Sequence, residues 1–195
     1  MLVLGLTGGI ACGKSNISDT LRGLGATIID GDVLSRELTA AGGEALPLLR
    51  EAFGDGIFDA EGQLLRRRLG AEGFGDAEKR RTLDSIMQPL LLRRIREALE
   101  KARQAGESVA VLDMPLLYEA GLDKLCDRVW CAYVPRETQR ARLMARDGFT
   151  VQEAEARLNS QLNAAKKAER ADVVIDTSGS IAYTKGRVPE LLAEE

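Results

Sequence analysis

The stretch Gly5–Ser15, GLTGGIACGKS, decides how this chain of 195 residues is read. Gly8, Gly13, Lys14 and Ser15 fit the spacing G-x-x-x-x-G-K-[ST]. The apolar run Leu2–Leu6 before it reads as a buried strand. After it, Ile17, Leu21 and Leu24 fall on one stripe of a helix from Lys14 to Leu24, with Gly25 as its C-terminal stop. A strand, a glycine loop and a helix in that order form a phosphate cradle. Glycines let the chain curl so that successive N–H groups point inward, and the helix adds its positive N-terminal end. Lys14 would reach the β- and γ-phosphates and the Ser15 hydroxyl would ligate Mg²⁺. The plain alternative is a glycine-rich turn with a surface lysine. Ala11 and Cys12 occupy variable positions, where backbone amides rather than side chains hold phosphate. Cys12 is either a small filler or an oxidisable thiol whose pKa the helix end and Lys14 would lower.

Working outward, Thr27–Asp30 (TIID) reads as a second strand. Residues 33–106 are mostly helical in period. Within them, Phe53–Leu64 (FGDGIFDAEGQL) is expected as an exposed loop. Pro89 should kink or break the long helix over 76–103 near Gln88. Strands resume at Ser108–Met114, Arg128–Val134 and Asp172–Asp176, with a charged helical stretch over 137–170. Five strands alternating with helices give an α/β fold built on a parallel sheet.

Asp30 and Asp32 follow the second strand, near the carboxyl edge where open α/β sheets bind ligands. One could accept a hydroxyl proton while the other positions it. Asp32 could instead only cap a helix beginning at Val33. Asp113 ends the third strand, where a carboxylate reaches Mg²⁺ through water, or it is only a turn residue before Pro115. Arg136, Arg140, Arg142 and Arg146 cluster, with Arg142 and Arg146 on one helix face. They supply cations for phosphoryl transfer or form a solvated face.

Histidine is absent, which excludes a Ser-His-Asp site and histidine-ligated zinc. A net charge of −3 argues against a general nucleic-acid binder. Met1–Leu6 is too short for a secretory signal, and no run of about 18 apolar residues exists for a membrane span. Three cysteines make no disulfide framework, so a reducing cytoplasm is expected.

Taken in order, LTGGIACGKS, IDGDVLSREL, VLDMPLLYEAGL, ETQRARLMARDGFTVQEAEARLNSQ and KKAERADVVIDTSGS resemble the dephospho-CoA kinase family over nearly the whole chain. The resemblance implies ATP-dependent phosphorylation of the ribose 3′-hydroxyl of dephospho-CoA, giving coenzyme A and ADP, the final step of coenzyme A synthesis. It implies a three-layer P-loop NTPase fold with a five-stranded parallel sheet of order 2-3-1-4-5. The core would take residues 1–32, 107–135 and 168–195, a helical substrate lobe 33–106, and a lid 136–167. Asp32 then resembles the base, and Lys14 and Arg142 the charge stabilisers. Gly8, Gly9, Ile10, Ala11, Cys12, Gly13, Lys14, Ser15 and Asn16 would hold ATP, with Arg142, Arg146 and Thr177. Asp32, Gln88, Leu116 and Glu119 would face the acceptor, and Ser15 and Asp113 the Mg²⁺. Three positions depart from the family pattern: Gln88 stands for histidine, Thr177 for asparagine, and Ala11 for glycine. Partners are expected to be dephospho-CoA and ATP, with no nucleic acid and no membrane, in a monomer or weak homo-oligomer. The rival readings are another small-molecule kinase of this fold and a nucleotide sensor without turnover.

Overall fold

The apolar run at the chain start forms β1 (Leu2–Gly8), buried from Val3 onward. The computed structural model describes residues 1–195, the side chains of Phe74 and Gly75 excepted. The glycine loop leads into α1 (Lys14–Gly23) and then β2 (Thr27–Asp30). The later strands are β3 (Val109–Asp113), β4 (Arg128–Tyr133) and β5 (Val173–Asp176). The sheet order is β2-β3-β1-β4-β5. β1 pairs in parallel with β3 and with β4, for example Leu4 opposite Val111 and Leu6 opposite Trp130. A central parallel strand is covered on both faces, which is why its sequence is continuously apolar rather than alternating.

The chain forms two compact units, residues 1–29 with 101–195, and residues 30–100. In the first, Leu4, Leu6, Val111, Trp130 and Ile175 pack with Ile17 and Leu21 of α1. Val188 of the last helix, Ile181–Ala193, joins the same cluster. Each such large side chain contributes roughly 1.5–3 kcal/mol when fully buried.

The second unit contains α2 (Gly31–Leu38), α3 (Ala45–Phe53), α4 (Arg66–Gly75) and most of α5 (Ala77–Gln104). Its cluster is Leu38, Ala45, Leu49, Ile57, Phe58 and Leu69. Two expectations fail here. The 53–64 segment is not simply exposed: Asp55–Ile57 forms a 3₁₀ turn, and Ile57 and Phe58 are 2% and 7% exposed. Phe58 forms an antiparallel bridge with Leu64, and the Arg50 guanidinium lies 4.2 Å from its ring centre. Of the kink or break expected at Pro89, the break does not occur, since α5 runs through it. Proline loses one ladder bond and costs about 3 kcal/mol. Ile86, Met87, Leu90 and Leu91 pack against the cluster on both sides of it and offset that cost. Among the described residues, no helix is long and apolar enough to cross a membrane.

The stretch read as one charged helical region is three helices: α6 (Arg136–Asp147), α7 (Val151–Asn159) and α8 (Ala164–Arg170). Gly148, at φ 71°, ends α6 in the left-handed conformation. Thr150 opens α7 through a capping box with Glu153.

Candidate active site

The loop between β1 and α1 turns on two positive φ angles, 61° at Ala11 and 73° at Gly13. Gly13 adopts this freely, whereas Ala11 is, among the described residues, the one non-glycine in that region. Gly8 is required by a close approach: a Cβ there would lie 2.8 Å from the Ala132 carbonyl oxygen of β4. Ile10 and Ala11 pack outward, against Leu143, Ala154 and Leu158 of α6 and α7. Cys12 is 1% exposed within the sheet's core cluster. Burial pushes its thiol above the usual range, outweighing backbone hydrogen bonds and the nearby Arg142 and Lys167. The reading of an activated, oxidisable Cys12 is therefore corrected: desolvation wins over the helix end.

Lys14 begins α1, and its ammonium is paired with the Asp113 carboxylate at the end of β3. Asp113 is 5% exposed, so this pair joins the loop to the sheet's carboxyl edge in a largely dry place. Ser15 follows on the first turn of α1, exposed. One buried carboxylate and one hydroxyl suit Mg²⁺, which takes most of its ligands from phosphate and water. In keeping with that, no cluster of three or more metal-ligating side chains occurs among the described residues.

The arginine cluster separates into different jobs. Arg136 and Arg140 both pair with Glu155, bracing α6 against α7. Arg142 turns instead to the loop: it donates to the Thr177 carbonyl at 2.7 Å and the Ala11 carbonyl at 3.5 Å. Arg146 pairs with its neighbour Asp147 and is exposed. Thr177 is buried, and its hydroxyl donates to the Cys12 carbonyl at 2.6 Å. Asn16 closes the loop's last turn with its N–H on the Gly13 carbonyl.

Two residues escaped the sequence reading. Gln139, one turn before Arg142 on α6, donates to the Ile10 carbonyl at 2.8 Å. It also packs so closely on Gly9 that a Cβ there would strike its amide. Its i,i+3 spacing from Arg142 was a usable signal. Lys167 was not findable, because in KKAER it reads as a solvated charge. It is 0% exposed, its ammonium held by the Pro115 carbonyl and, at 2.9 Å, by Glu119. Glu119 also accepts the Leu162 N–H at 2.9 Å. The nearby Leu116 is 39% exposed.

In the second unit, Asp30 rather than Asp32 caps α2. Its carboxylate accepts the N–H groups of Asp32 and Val33 at 2.8 and 3.0 Å. The helix begins two residues earlier than Val33, so Asp32 stands in its first turn rather than at its cap. Gln88 lies on α5, exposed. This unit also holds a cleft of about 580 Å³, lined by Leu46, Pro47, Arg50 and Phe58 among others.

A central parallel sheet, a glycine loop closing on a helix N-terminus, and a lysine–aspartate pair at the strand edge define a P-loop kinase. Known proteins narrow this further. A sequence profile of the dephospho-CoA kinase family matches residues 2–183. A dephospho-CoA kinase of Carboxydothermus hydrogenoformans is 43% identical over 190 residues, covering 97% of this chain and 92% of the relative. The crystal structure of TT1252 from Thermus thermophilus superposes with a TM-score of 0.84 at 28% identity, over 99% of this chain and 97% of that one. Dephospho-CoA kinase from Campylobacter jejuni gives 0.73 at 25% identity, over 98% and 96%. The chain belongs to the dephospho-CoA kinase family. It is an ATP-dependent kinase of coenzyme A biosynthesis, phosphorylating dephospho-CoA.

Proposed function

We propose that the acceptor is the ribose 3′-hydroxyl and that Asp32 is the base that takes its proton. The observations that carry this reading are the match to the dephospho-CoA kinase family over residues 2–183 and the place of Asp32 in the first turn of α2, directly after the carboxyl end of β2. As the proton moves to Asp32, the 3′-oxygen forms its bond to the γ-phosphorus. The bond from that phosphorus to the bridging oxygen breaks, and ADP leaves. Lys14 would exchange Asp113 for phosphate oxygens, and Arg142 would exchange backbone carbonyls for the same charge; both are already within the loop's reach. Ser15 and Asp113 would hold Mg²⁺, which neutralises phosphate charge when bound.

The unit 30–100 is proposed to bind the CoA-type substrate, with Gln88 as a hydrogen-bonding but non-titrating contact. Leu116 and Glu119 belong to the loop after Asp113. Leu116 is proposed to contact the acceptor directly, and Glu119 to shape that loop through Lys167. Residues 136–167 are proposed as the lid over ATP, with Arg146 at its outer face. Thr177 serves ATP through the loop backbone that it holds. The protein is further proposed to act in the cytoplasm as a monomer or weak homo-oligomer, without nucleic-acid or membrane partners. Its net charge of −3 supports the absence of a nucleic-acid partner.

The test is turnover with Mg-ATP and dephospho-CoA, with the product's phosphate located by NMR. AMP, dCMP, gluconate and shikimate serve as competing acceptors. A 3′-phosphate on dephospho-CoA, in preference to the other four, is the expected result. Phosphate elsewhere on the molecule, or preference for another acceptor, refutes it.

A further inference from the structure

We propose that Gln139 and Thr177 are positioning residues for ATP: they hold the loop's carbonyls outward so that its amides face the phosphates. The inference rests on the reading of Gly8–Ser15 as the phosphate site. Three successive carbonyls, those of Ile10, Ala11 and Cys12, each meet a side-chain donor from outside the loop. The donors are Gln139 at 2.8 Å, Arg142 at 3.5 Å and Thr177 at 2.6 Å. A trans peptide is planar, so its N–H points opposite to its C=O. Fixing the Ile10 carbonyl therefore aims the Ala11 N–H, and fixing the Cys12 carbonyl aims the Gly13 N–H. The peptide between them behaves differently. The Cys12 N–H is turned onto the Gly9 carbonyl at 3.2 Å, and its Ala11 carbonyl has only the long Arg142 contact. The two short bonds thus bracket the loop.

Both donors are 5–6% exposed and neither belongs to the glycine motif. Gln139 comes from α6 and Thr177 from the turn after β5. Thr177 is itself anchored by its N–H on the Tyr133 carbonyl at 3.0 Å. The loop they grip contains Ala11 at φ 61°. A strained residue persists only where its surroundings over-determine it. Without the grip, the 10–11 and 12–13 peptides would be free to rotate, and ATP would have to order them on binding.

Thr177→Val keeps shape and removes the hydroxyl, while Thr177→Ser keeps the hydroxyl and removes the methyl. Gln139→Met removes the amide donor at similar length. The readouts are the Kd for ADP by calorimetry and the separate KM values for ATP and dephospho-CoA. Thr177→Val and Gln139→Met should weaken ADP and raise KM for ATP by about five- to tenfold, the size of one buried neutral hydrogen bond. The KM for dephospho-CoA should stay within about twofold, and Thr177→Ser should restore ADP binding to about native level. Native ADP binding by both Thr177→Val and Gln139→Met would overturn the proposal. So would equal loss for both substrates, or a Thr177→Ser protein as impaired as Thr177→Val. Lys14→Ala serves as the control for the site itself. If it binds ADP as the native protein does, the phosphate-site reading fails, a result distinct from failure of the clamp.

Discussion

Removing the Lys167–Glu119 pair one member at a time should give unequal losses, and the burial of each partner decides which is larger. Lys167 has a side chain 0% exposed, whereas that of Glu119 is 27% exposed. Glu119→Gln leaves a full positive charge in the interior facing only neutral acceptors, the glutamine amide oxygen and the Pro115 carbonyl. Breaking a buried pair in that direction costs about 3–5 kcal/mol. Lys167→Met instead fills the same space with an apolar chain. The Glu119 carboxylate left behind reaches water and keeps the Leu162 N–H. Pro115 keeps the Thr7 hydroxyl on its carbonyl at 3.1 Å. The cost then falls to that of one or two net hydrogen bonds, about 1–2 kcal/mol. For a chain of this length each kcal/mol moves Tm by roughly 2–4 °C. Glu119→Gln should therefore lower Tm by about 6–20 °C and Lys167→Met by about 2–8 °C. The double variant removes both charges and should be more stable than Glu119→Gln alone. Urea unfolding followed by fluorescence of Trp130, the single tryptophan, reads all three. A Lys167→Met protein less stable than Glu119→Gln, or a double variant whose loss equals the sum, would refute the reasoning.

Asp32→Asn should lower kcat by about 10²-fold or more while ADP still binds, checked by single-turnover rates beside calorimetry. Lys14→Ala should lose about 10²-fold or more in kcat/KM for ATP, and it leaves Asp113 without its cation. Burial holds Cys12 above the ordinary thiol value of 9.0 and pushes Cys126 and Cys131 up to about 12. At pH 8 all three should therefore react slowly with a disulfide reagent until denaturant is added; fast native labelling of Cys12 would contradict the burial. A thiol whose pKa is raised on folding stabilises the folded state fully below its unfolded value and loses that contribution as pH rises through the folded value. Stability should accordingly fall between about pH 9 and 12, measured as the urea midpoint across that range.

The sheet was legible because parallel strands buried on both faces announce themselves as short apolar runs. All five were visible, and their ends were placed within about two residues. The loop was legible because its chemistry fixes residue types at fixed spacing. What the sequence hid was direction. Nothing in RETQRARLMARD says that Arg136 and Arg140 face Glu155 while Arg142 faces the loop. A break at Pro89 was weighed without the apolar residues packed on either side of it, which hold the helix continuous. Asp32 was the cap candidate only while the helix was expected from Val33; with the helix starting at Gly31 the cap is Asp30. Lys167 stayed invisible because a lysine's burial depends on a carboxylate 48 residues away, a partner that no local pattern encodes.

Ala11 shows how an apparent defect in the motif can be nearly neutral. An L-residue in the left-handed region costs about 1–2 kcal/mol, which glycine avoids. Glycine, however, is more disordered when unfolded, by about 0.5–1 kcal/mol relative to alanine. The methyl also packs with Ile10 against Leu143, Ala154 and Leu158, where a fully buried methylene is worth about 0.8 kcal/mol. Ala11 is only partly buried, so the two gains together are of the same order as the strain and offset much of it. On the proposed reading amides hold the phosphate, which leaves the side chains at 10 and 11 to form this apolar seat. The seat sits on α6 and α7, and α6 also carries Gln139 and Arg142 to the loop. Packing at Ile10 and Ala11 and hydrogen bonding at their carbonyls thus act on the same few atoms. A displacement of α6 should in consequence disturb the loop, whereas a motion confined to elements beyond α6 and α7 should spare it.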